Sequence, residues 1–224
     1  MFAMSGKRRV GVLWDMDGTL VDTEPLWLAA EHELIESFGG VWSHEKGMQL
    51  VGNGLLQSAV IIQEAGVRME PLEIVRWLTD HVTAHLDPES MPWRPGAREL
   101  LRSLRDARVP TALVTMSYRQ MALEVAGQLG FVGFDAVIAG DDVAHEKPHP
   151  DPYLRGAAAL GLEPGECVAI EDSFNGIRSA ASAGTRAVAV PFLVPIPDDE
   201  RWLKWDTLAG RTADDVLGLL EVAA

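Results

Sequence analysis

Acidic side chains directly follow two apolar runs of the sequence. Residues 10–14 are followed by Asp15-Met16-Asp17-Gly18-Thr19, and residues 168–170 are followed by Glu171-Asp172-Ser173. Short runs rich in Val, Ile and Leu are typical of strands that are covered on both faces. In an open parallel sheet, ligands bind outside the carboxyl ends of the strands. We therefore expect these carboxylates to lie together at one edge of a sheet.

A hydroxyl and an amine follow two further apolar runs. Thr115-Met116-Ser117 comes directly after residues 111–114, and the loop after residues 136–139 carries Lys147-Pro148. Four segments that are distant in the sequence would thus deliver carboxylates, a hydroxyl and a lysine to the same edge of the sheet.

This combination of side chains is what phosphoryl transfer requires. Acidic strand ends can hold Mg²⁺, which takes oxygen ligands and keeps several waters. A carboxylate beside the metal, here Asp15, stays ionised and can attack phosphorus to give an acyl phosphate. Asp17 is then the natural proton carrier, first for the leaving group and next for the attacking water.

The same segments supply groups that could bind the phosphoryl oxygens. The Gly18-Thr19 turn can point backbone N–H groups at phosphate. Lys147 offers a compact positive charge, and the Thr115 hydroxyl offers a further hydrogen bond.

The elements that must position these residues alternate between strand and helix. A fifth apolar run covers residues 187–190, and amphipathic patterns predict helices over residues 97–107, 120–129, 152–160 and 174–183. Such alternation predicts an α/β fold, a Rossmann-like parallel sheet with right-handed crossovers and helices on both faces. Residues 191–197 are predicted to form a loop, and residues 213–222 a closing helix.

The alternation is interrupted once, between the first strand and Pro95. A crossover needs only about a dozen residues, and this segment is several times longer. Its patterns predict three helices, over residues 25–38, 55–65 and 71–86, the first with Pro25 in its first turn. We expect an inserted all-helical cap domain over residues 23–94, with residues 1–22 and 95–224 forming the core. Hinges are expected near Asp22-Thr23 and residues 92–96.

The four polar segments resemble the four motifs of the haloacid dehalogenase-like hydrolases, in the order that this superfamily uses. The most specific strings are Asp15-Met16-Asp17-Gly18-Thr19-Leu20, followed by Asp22-Thr23-Glu24-Pro25-Leu26-Trp27, and Glu171-Asp172-Ser173-Phe174-Asn175-Gly176. The resemblance covers nearly the whole chain. The helical insert resembles the cap of the beta-phosphoglucomutase-like branch.

This resemblance implies a role for each matching residue. Asp15 would be the nucleophile and Asp17 the general acid and base. Mg²⁺ would bind the Asp15 carboxylate, the Asp17 backbone carbonyl and Asp172, with Glu171 as a ligand or a neighbour of one. The phosphoryl group would be bound by Thr115, the Met116 amide and Lys147, and the site would be faced from the cap by Glu24, Gly52 and Asn53.

Three positions bear on which reaction the chain catalyses. The resemblance argues against dehalogenation, since true dehalogenases use no metal and lack an acid where Asp17 stands. The related hexose-phosphate mutases carry a histidine where Trp27 stands and an arginine near Leu55. A bisphosphate intermediate needs a second anion clamp, which neither Trp nor Leu provides. We therefore expect a phosphatase acting on a small phosphorylated metabolite, with sugar phosphates first and phosphoglycolate-like acids next. A mutase is the alternative, and a non-catalytic metabolite-binding module is the less favoured one.

The amino-acid composition restricts the kinds of partner that the protein can bind. Nineteen basic and 33 acidic residues give a formal net charge of −14, which repels nucleic acid and anionic membranes. No apolar run approaches a membrane span, and residues 1–9 precede no apolar signal segment. The single cysteine, Cys167, excludes an internal disulfide and suits the cytoplasm. We expect a cytoplasmic monomer or weak homodimer.

Ser173 is also expected to cap a helix.

Overall fold

A computed structural model describes residues 9–221 of the chain, and within them a parallel sheet forms the centre of the molecule. Its neighbouring strands lie in the order β3-β2-β1-β4-β5-β6. The strands are β1 (Gly11–Trp14), β2 (Thr111–Val114), β3 (Ala136–Ile138), β4 (Cys167–Glu171), β5 (Arg186–Ala189) and β6 (Trp202–Lys204). Sequence reasoning predicted the first five of these strands. It missed β6, which has only three residues and lies at the edge of the sheet.

The order of the strands places a switch point beside β1. The chain passes from β1 to β2 and β3 on one side, and then returns to β4 and β5 on the other side. Leu13 of β1 lies opposite Ala112 of β2 and Ala169 of β4. At such a point the crossovers diverge, and a crevice opens beyond the carboxyl ends of the central strands.

The segment between β1 and Pro95 contains four α-helices. They are α1 (Glu24–Ser37), α2 (His44–Met48), α3 (Leu55–Glu64) and α4 (Pro71–His85). Sequence reasoning predicted α1, α3 and α4 but not α2, because five residues that include Gly47 give too little helical periodicity. Pro25 lies in the first turn of α1, as expected. Apolar side chains of these helices pack on one another, among them Ile35, Ile62, Ile74 and Leu78.

The two segments that connect this insert to the sheet run side by side. The Asp22 N–H donates to the Pro92 carbonyl over 2.8 Å, and the Arg94 N–H donates to the Leu20 carbonyl over 3.0 Å. These crossings coincide with the expected hinge positions. The division of the chain into domains at residues 23 and 94 remains a prediction.

Helices cover both faces of the sheet. They are α5 (Ala97–Asp106), α6 (Arg119–Gly127), α7 (Asp151–Ala159), α8 (Phe174–Ser182) and α9 (Ala213–Glu221). Successive residues of a strand point to opposite faces. Accordingly Trp14 packs in one core with Leu100 and Val216, whereas Leu13 packs in a second core with Tyr153 and Ile177.

The ends of the chain carry three further predictions. The segment 191–197 has no regular secondary structure, as expected, and α9 begins at Ala213, where the closing helix was predicted. Val222 lies outside the described residues, as does most of the segment 1–9. In the described part of the chain, no helix is both long and apolar enough to cross a membrane.

Candidate active site

The carboxyl ends of β1 and β4 place an ion cluster around Lys147. Asp15 follows β1 directly, and Glu171 is the last residue of β4. The Lys147 ammonium donates to Asp15 Oδ1 over 2.7 Å, to Glu171 Oε1 over 2.6 Å and to the Val114 carbonyl over 2.9 Å. An ammonium group has three donors. All three are therefore used, and the nitrogen is fixed between the two carboxylates.

Three buried carboxylates lie together at this point. One oxygen from each of Asp15, Glu171 and Asp172 falls within 4.8 Å of the others. Burial and the Glu171 charge raise the pKa of Asp15 to about 7, although Lys147 acts in the opposite direction. Burial, together with the Asp15 and Glu171 charges, raises the pKa of Asp172 well above its ordinary range. One lysine thus faces three carboxylates, and the cluster could hold a metal cation.

The carboxylate oxygens of this cluster differ in whether they accept hydrogen bonds. Glu171 accepts from Tyr153 over 2.8 Å through Oε1, and from the Ser173 hydroxyl over 3.2 Å through Oε2. Asp172 Oδ1 accepts from the Thr19 hydroxyl over 3.1 Å. Among residues 9–221, no donor reaches Oδ2 of Asp15 or Oδ2 of Asp172. These two oxygens are the ones most open to a cation.

Asp17 is held by four side-chain donors. Oδ1 accepts from the Thr23 hydroxyl over 2.5 Å and from the Trp27 indole over 3.2 Å. Oδ2 accepts from the Ser117 hydroxyl over 2.7 Å and from the Thr115 hydroxyl over 3.2 Å. Two donors come from the start of the helical insert and two from the loop after β2. The orientation of the Asp17 carboxylate therefore depends on both parts of the molecule.

The turn after Asp17 requires glycine. Gly18 has a φ of +83°, and a Cβ there would lie 2.1 Å from Asp172 Oδ2. Without a side chain at this position, the backbone of the turn can pass directly beside Asp172. The Thr19 side chain points to Asp172. The expected binding of phosphate by the Gly18 and Thr19 amides remains a prediction.

The predicted phosphate ligands of the β2 loop also have identified partners. Thr115 donates to Asp17 and accepts from the Ser117 N–H over 3.0 Å. The Met116 thioether accepts from the Lys147 N–H over 3.4 Å. Both residues are buried beside the carboxylate cluster. Their contact with a phosphoryl group remains a prediction.

A cavity of about 80 Å³ lies between this cluster and the helical insert. Its core side includes Asp15, Asp17, Met116, Ser117, Lys147, Asp172 and Ser173. Its opposite side is formed by Glu24, Trp27 and Glu31 of α1, by Leu50, Gly52 and Asn53 of the following loop, by Leu55 and Ser58 of α3, and by Leu78 of α4. Glu24, Gly52 and Asn53 thus line this cavity, and so does Trp27. Their contact with a substrate remains a prediction.

The insert is held against the core beside this cavity. Asn175 donates to the Gly52 carbonyl over 3.2 Å and to Asn53 Oδ1 over 3.1 Å. A Cβ on Gly52 would lie 2.6 Å from the Ser173 Cβ, so glycine permits the close approach. The Ser173 hydroxyl also accepts from the Gly176 N–H over 3.1 Å, which confirms that it caps α8.

Two carboxyl groups on α1 are also perturbed. Burial, with the Asp17 charge adding to it, raises the pKa of Glu24 to about 8. Burial likewise raises the pKa of Glu31 to about 8, although a hydrogen bond from Trp42 acts against it. Glu24, Trp27 and Glu31 are spaced three and four residues apart, so they share one face of the helix.

Sequence reasoning missed several residues of this site. Thr23 lies within the string that carried the family resemblance, and Ser117 lies in the loop after β2, so both had a signal in the sequence. Tyr153, Glu31 and Ser58 had none. They come from the interiors of helices, and only the packing of those helices places them here.

This chain is similar to known proteins over most of its length. A family model described as a haloacid dehalogenase-like hydrolase matches residues 10–184. The fructose-1-phosphate phosphatase YqaB of Escherichia coli is 34% identical over 191 residues, which cover 84% of this chain and 99% of the relative. Hexitol phosphatase B of Escherichia coli is 30% identical over 226 residues, which cover 96% and 100%.

A solved structure shows the same fold. The crystal structure of CbbY from Rhodobacter sphaeroides in complex with phosphate has a TM-score of 0.81 to this chain and is 26% identical to it. The match covers 94% of this chain and 98% of that protein. The similarity therefore extends over the helical insert as well as the sheet.

Proposed function

The chain belongs to the haloacid dehalogenase-like hydrolases, and we propose that it is a Mg²⁺-dependent phosphatase that releases phosphate from a sugar phosphate through a phosphorylated Asp15. The observation that carries this proposal is the Asp15 carboxylate. One of its oxygens is fixed by Lys147, and no donor among residues 9–221 reaches the other. One oxygen of this carboxylate also lies within 4.8 Å of one from Asp172. This is the arrangement that an oxygen nucleophile next to a cation requires.

The residues present fit a divalent cation. If Asp15, Glu171 and Asp172 are ionised, Lys147 leaves the cluster with two uncompensated negative charges. Asp15, Asp172 and the Asp17 backbone carbonyl would hold Mg²⁺, with Glu171 positioning Lys147 beside them. The metal would withdraw charge from the phosphoryl oxygens and keep Asp15 ionised.

The chain's own residues divide the reaction into two steps. Asp15 attacks phosphorus, the bond from phosphorus to the sugar oxygen breaks, and Asp17 gives its proton to that oxygen. Asp17 then takes a proton from a water molecule, which attacks the aspartyl-phosphate and restores Asp15. Lys147, Thr115, the Met116 amide and the Gly18-Thr19 turn bind the phosphoryl oxygens. Glu24, Gly52 and Asn53 close the site from the insert, excluding bulk water.

Two observations support sugar phosphates as substrates and hydrolysis as the reaction. Curated relatives act on fructose 1-phosphate and hexitol phosphates, as their names state. In this chain Trp27 and Leu55 line the cavity, and neither side chain carries a positive charge that could pair with a second phosphate. At these two positions the chain therefore lacks the second anion-binding group that a mutase would need. We also propose that the enzyme works in the cytoplasm as a monomer or weak homodimer, without nucleic acid or membrane partners, in accord with its net charge of −14.

The test is phosphate release from a panel of about a hundred phosphorylated metabolites, measured with Mg²⁺ and with EDTA. We expect Mg²⁺-dependent release that falls about 10⁴-fold or more in Asp15→Asn, since losing a nucleophile typically has effects of that size. Asp106→Asn, at an exposed position of α5, is the matched control. Full activity in folded Asp15→Asn would contradict the proposed nucleophile. Rearrangement of a hexose phosphate without free phosphate would identify a mutase instead.

A further inference from the structure

The insert side of the cavity carries three buried polar side chains. Glu24, Glu31 and Ser58 are 9%, 6% and 5% exposed, and all three line the cavity that Asp15 and Lys147 line from below. Glu31 and Ser58 come from α1 and α3, so they belong to different helices of the insert. The packing of these helices brings their side chains to the same cavity.

These three groups are short of hydrogen-bond partners. In the part of the chain that the structure describes, the Glu24 carboxylate and the Ser58 hydroxyl make no hydrogen bond. Glu31 accepts one, from the Trp42 indole over 3.4 Å, at the long end of the range. Buried polar groups in proteins nearly always have a partner. Unpaired groups that face a cavity are therefore placed for a ligand.

The charges around the cavity define what kind of ligand fits. Among the described residues that line it, Lys147 is the only cation, and Asp15 and Glu171 already engage it. A carboxylate or a second phosphate at the insert end would lie beside Glu31 with no cation to pair it. A hydroxyl group, by contrast, can donate to a carboxylate and accept from Ser58.

We propose that Glu31 and Ser58 bind the hydroxyl groups at the end of the substrate opposite the phosphate, and that this end carries no charge. The proposal rests on the phosphatase function above and narrows its substrates to monophosphates of neutral sugars and sugar alcohols. Because burial raises the pKa of Glu31 to about 8, its carboxyl can also donate to a hydroxyl near neutral pH. Leu50, Leu55 and Leu78 add apolar surface to the same side of the cavity.

The experiment compares kcat/KM for substrates that differ only at the far end. Sorbitol 6-phosphate and 6-phosphogluconate form one pair, and fructose 1-phosphate and fructose 1,6-bisphosphate form another. Acetyl phosphate serves as a small substrate without hydroxyl groups. We expect the neutral member of each pair to be preferred about tenfold or more, because an unpaired buried charge is strongly disfavoured.

Variants of Glu31 and Ser58 then test whether these residues cause the preference for neutral substrates. Glu31→Ala should lower kcat/KM for the neutral sugar phosphates about 10- to 100-fold, and Ser58→Ala about 3- to 10-fold, as expected for lost hydrogen bonds. Acetyl phosphate hydrolysis should change less than about threefold, a factor that corresponds to less than one typical hydrogen bond. Glu31→Gln keeps the side-chain volume and should show an intermediate loss. Glu33→Gln, two residues along α1 and 63% exposed, is the matched control.

The outcomes separate this inference from the proposed function. Equal losses on acetyl phosphate and on sugar phosphates would overturn the inference, because the two residues would then only support the structure. Hydrolysis of acetyl phosphate with no preference for neutral sugars would also overturn it, while leaving the phosphatase intact. Absence of Mg²⁺-dependent hydrolysis of every compound would overturn both.

Discussion

The core side and the insert side of the cavity differ in how their polar groups are satisfied. On the core side, Lys147 uses all three of its donors, Asp17 accepts four hydrogen bonds, and both oxygens of Glu171 are engaged. On the insert side, among the described residues, Glu24 and Ser58 have no partner and Glu31 has one long contact. Lys147 and Glu171 on the core side and Glu31 and Ser58 on the insert side are nevertheless all buried.

This difference indicates a division of labour. Groups that stabilise charge in a reaction work best when they are fixed before the substrate arrives, because no energy is then spent on orienting them. Groups that recognise a substrate must keep free hydrogen-bonding capacity, which the substrate then uses. Breaking the core side should therefore damage stability and chemistry together, whereas changing the insert side should leave the fold intact.

The largest effect is expected from Lys147→Met. This variant leaves Asp15 and Glu171 buried without their cation, so the free energy of unfolding should fall by about 3–5 kcal/mol. Phosphate release should fall about 10²- to 10³-fold, because a fixed electrostatic contact to the phosphoryl group is lost. Urea unfolding in EDTA and a phosphate assay measure the two effects. Lys204→Met, whose partner Asp198 is exposed, is the control. Unchanged stability would show that Lys147 is not needed to balance the cluster.

On the insert side, Glu31→Gln should raise the free energy of unfolding, whereas Lys147→Met lowers it. Burial raises the pKa of Glu31 from 4.5 to about 8, so the folded protein holds this proton more tightly than the unfolded chain does. The wild-type protein therefore loses stability from this group as pH rises from about 4.5 to about 8. The amide cannot ionise, so the variant should be more stable than the wild-type protein by about 4 kcal/mol at pH 8 and little changed at pH 4.5.

Urea unfolding at several pH values measures the difference between the two proteins. Glu33→Gln, on the exposed side of α1, should follow the wild-type curve. A Glu31→Gln protein that loses stability at pH 8 would mean that the carboxylate makes a favourable interaction in the folded protein.

Magnesium ions should stabilise the core side. At a concentration 100 times its Kd, a ligand that binds only the folded state adds about 2.7 kcal/mol to the free energy of unfolding. We expect this gain in the wild-type protein and its loss in Asp172→Asn, because no donor among residues 9–221 reaches Oδ2 of Asp172. Urea unfolding with Mg²⁺ and with EDTA gives the readout without any substrate. Asp214→Asn, exposed in α9, should keep the full gain. An Asp172→Asn protein that keeps it would move the metal to other residues.

The smallest effect is expected from Trp27→Phe, at the junction of the two sides. Trp27 lines the cavity and donates to Asp17 over 3.2 Å, one of four donors to that carboxylate. Removing one of four should cost about 1 kcal/mol of transition-state stabilisation, a three- to tenfold fall in kcat. Trp77→Phe, whose ring stacks on His81, is the control. Equal kcat in the two variants would show that the remaining three donors suffice.

The sequence predicted the core side of the site much better than the insert side. Asp15, Lys147, Glu171 and Asp172 lie at the end of a strand or in the loop after one, and the carboxyl ends of parallel strands meet at one edge of the sheet. Glu31 and Ser58 lie inside amphipathic helices, where the pattern shows only that one face is buried. The five-residue helix α2 and the three-residue strand β6 were missed because elements this short have little periodicity.

The sequence by itself therefore determined the α/β fold, the helical insert and the acid pair with its lysine. Each of these follows from residue type and from spacing along the chain. Only the tertiary structure decided that Tyr153 donates to Glu171, that Trp27 and Ser117 hold the same carboxylate, and that Glu31 and Ser58 face one cavity. The physical reason is that strand ends are brought together by a regular sheet, whereas contacts between helices depend on how all their side chains pack.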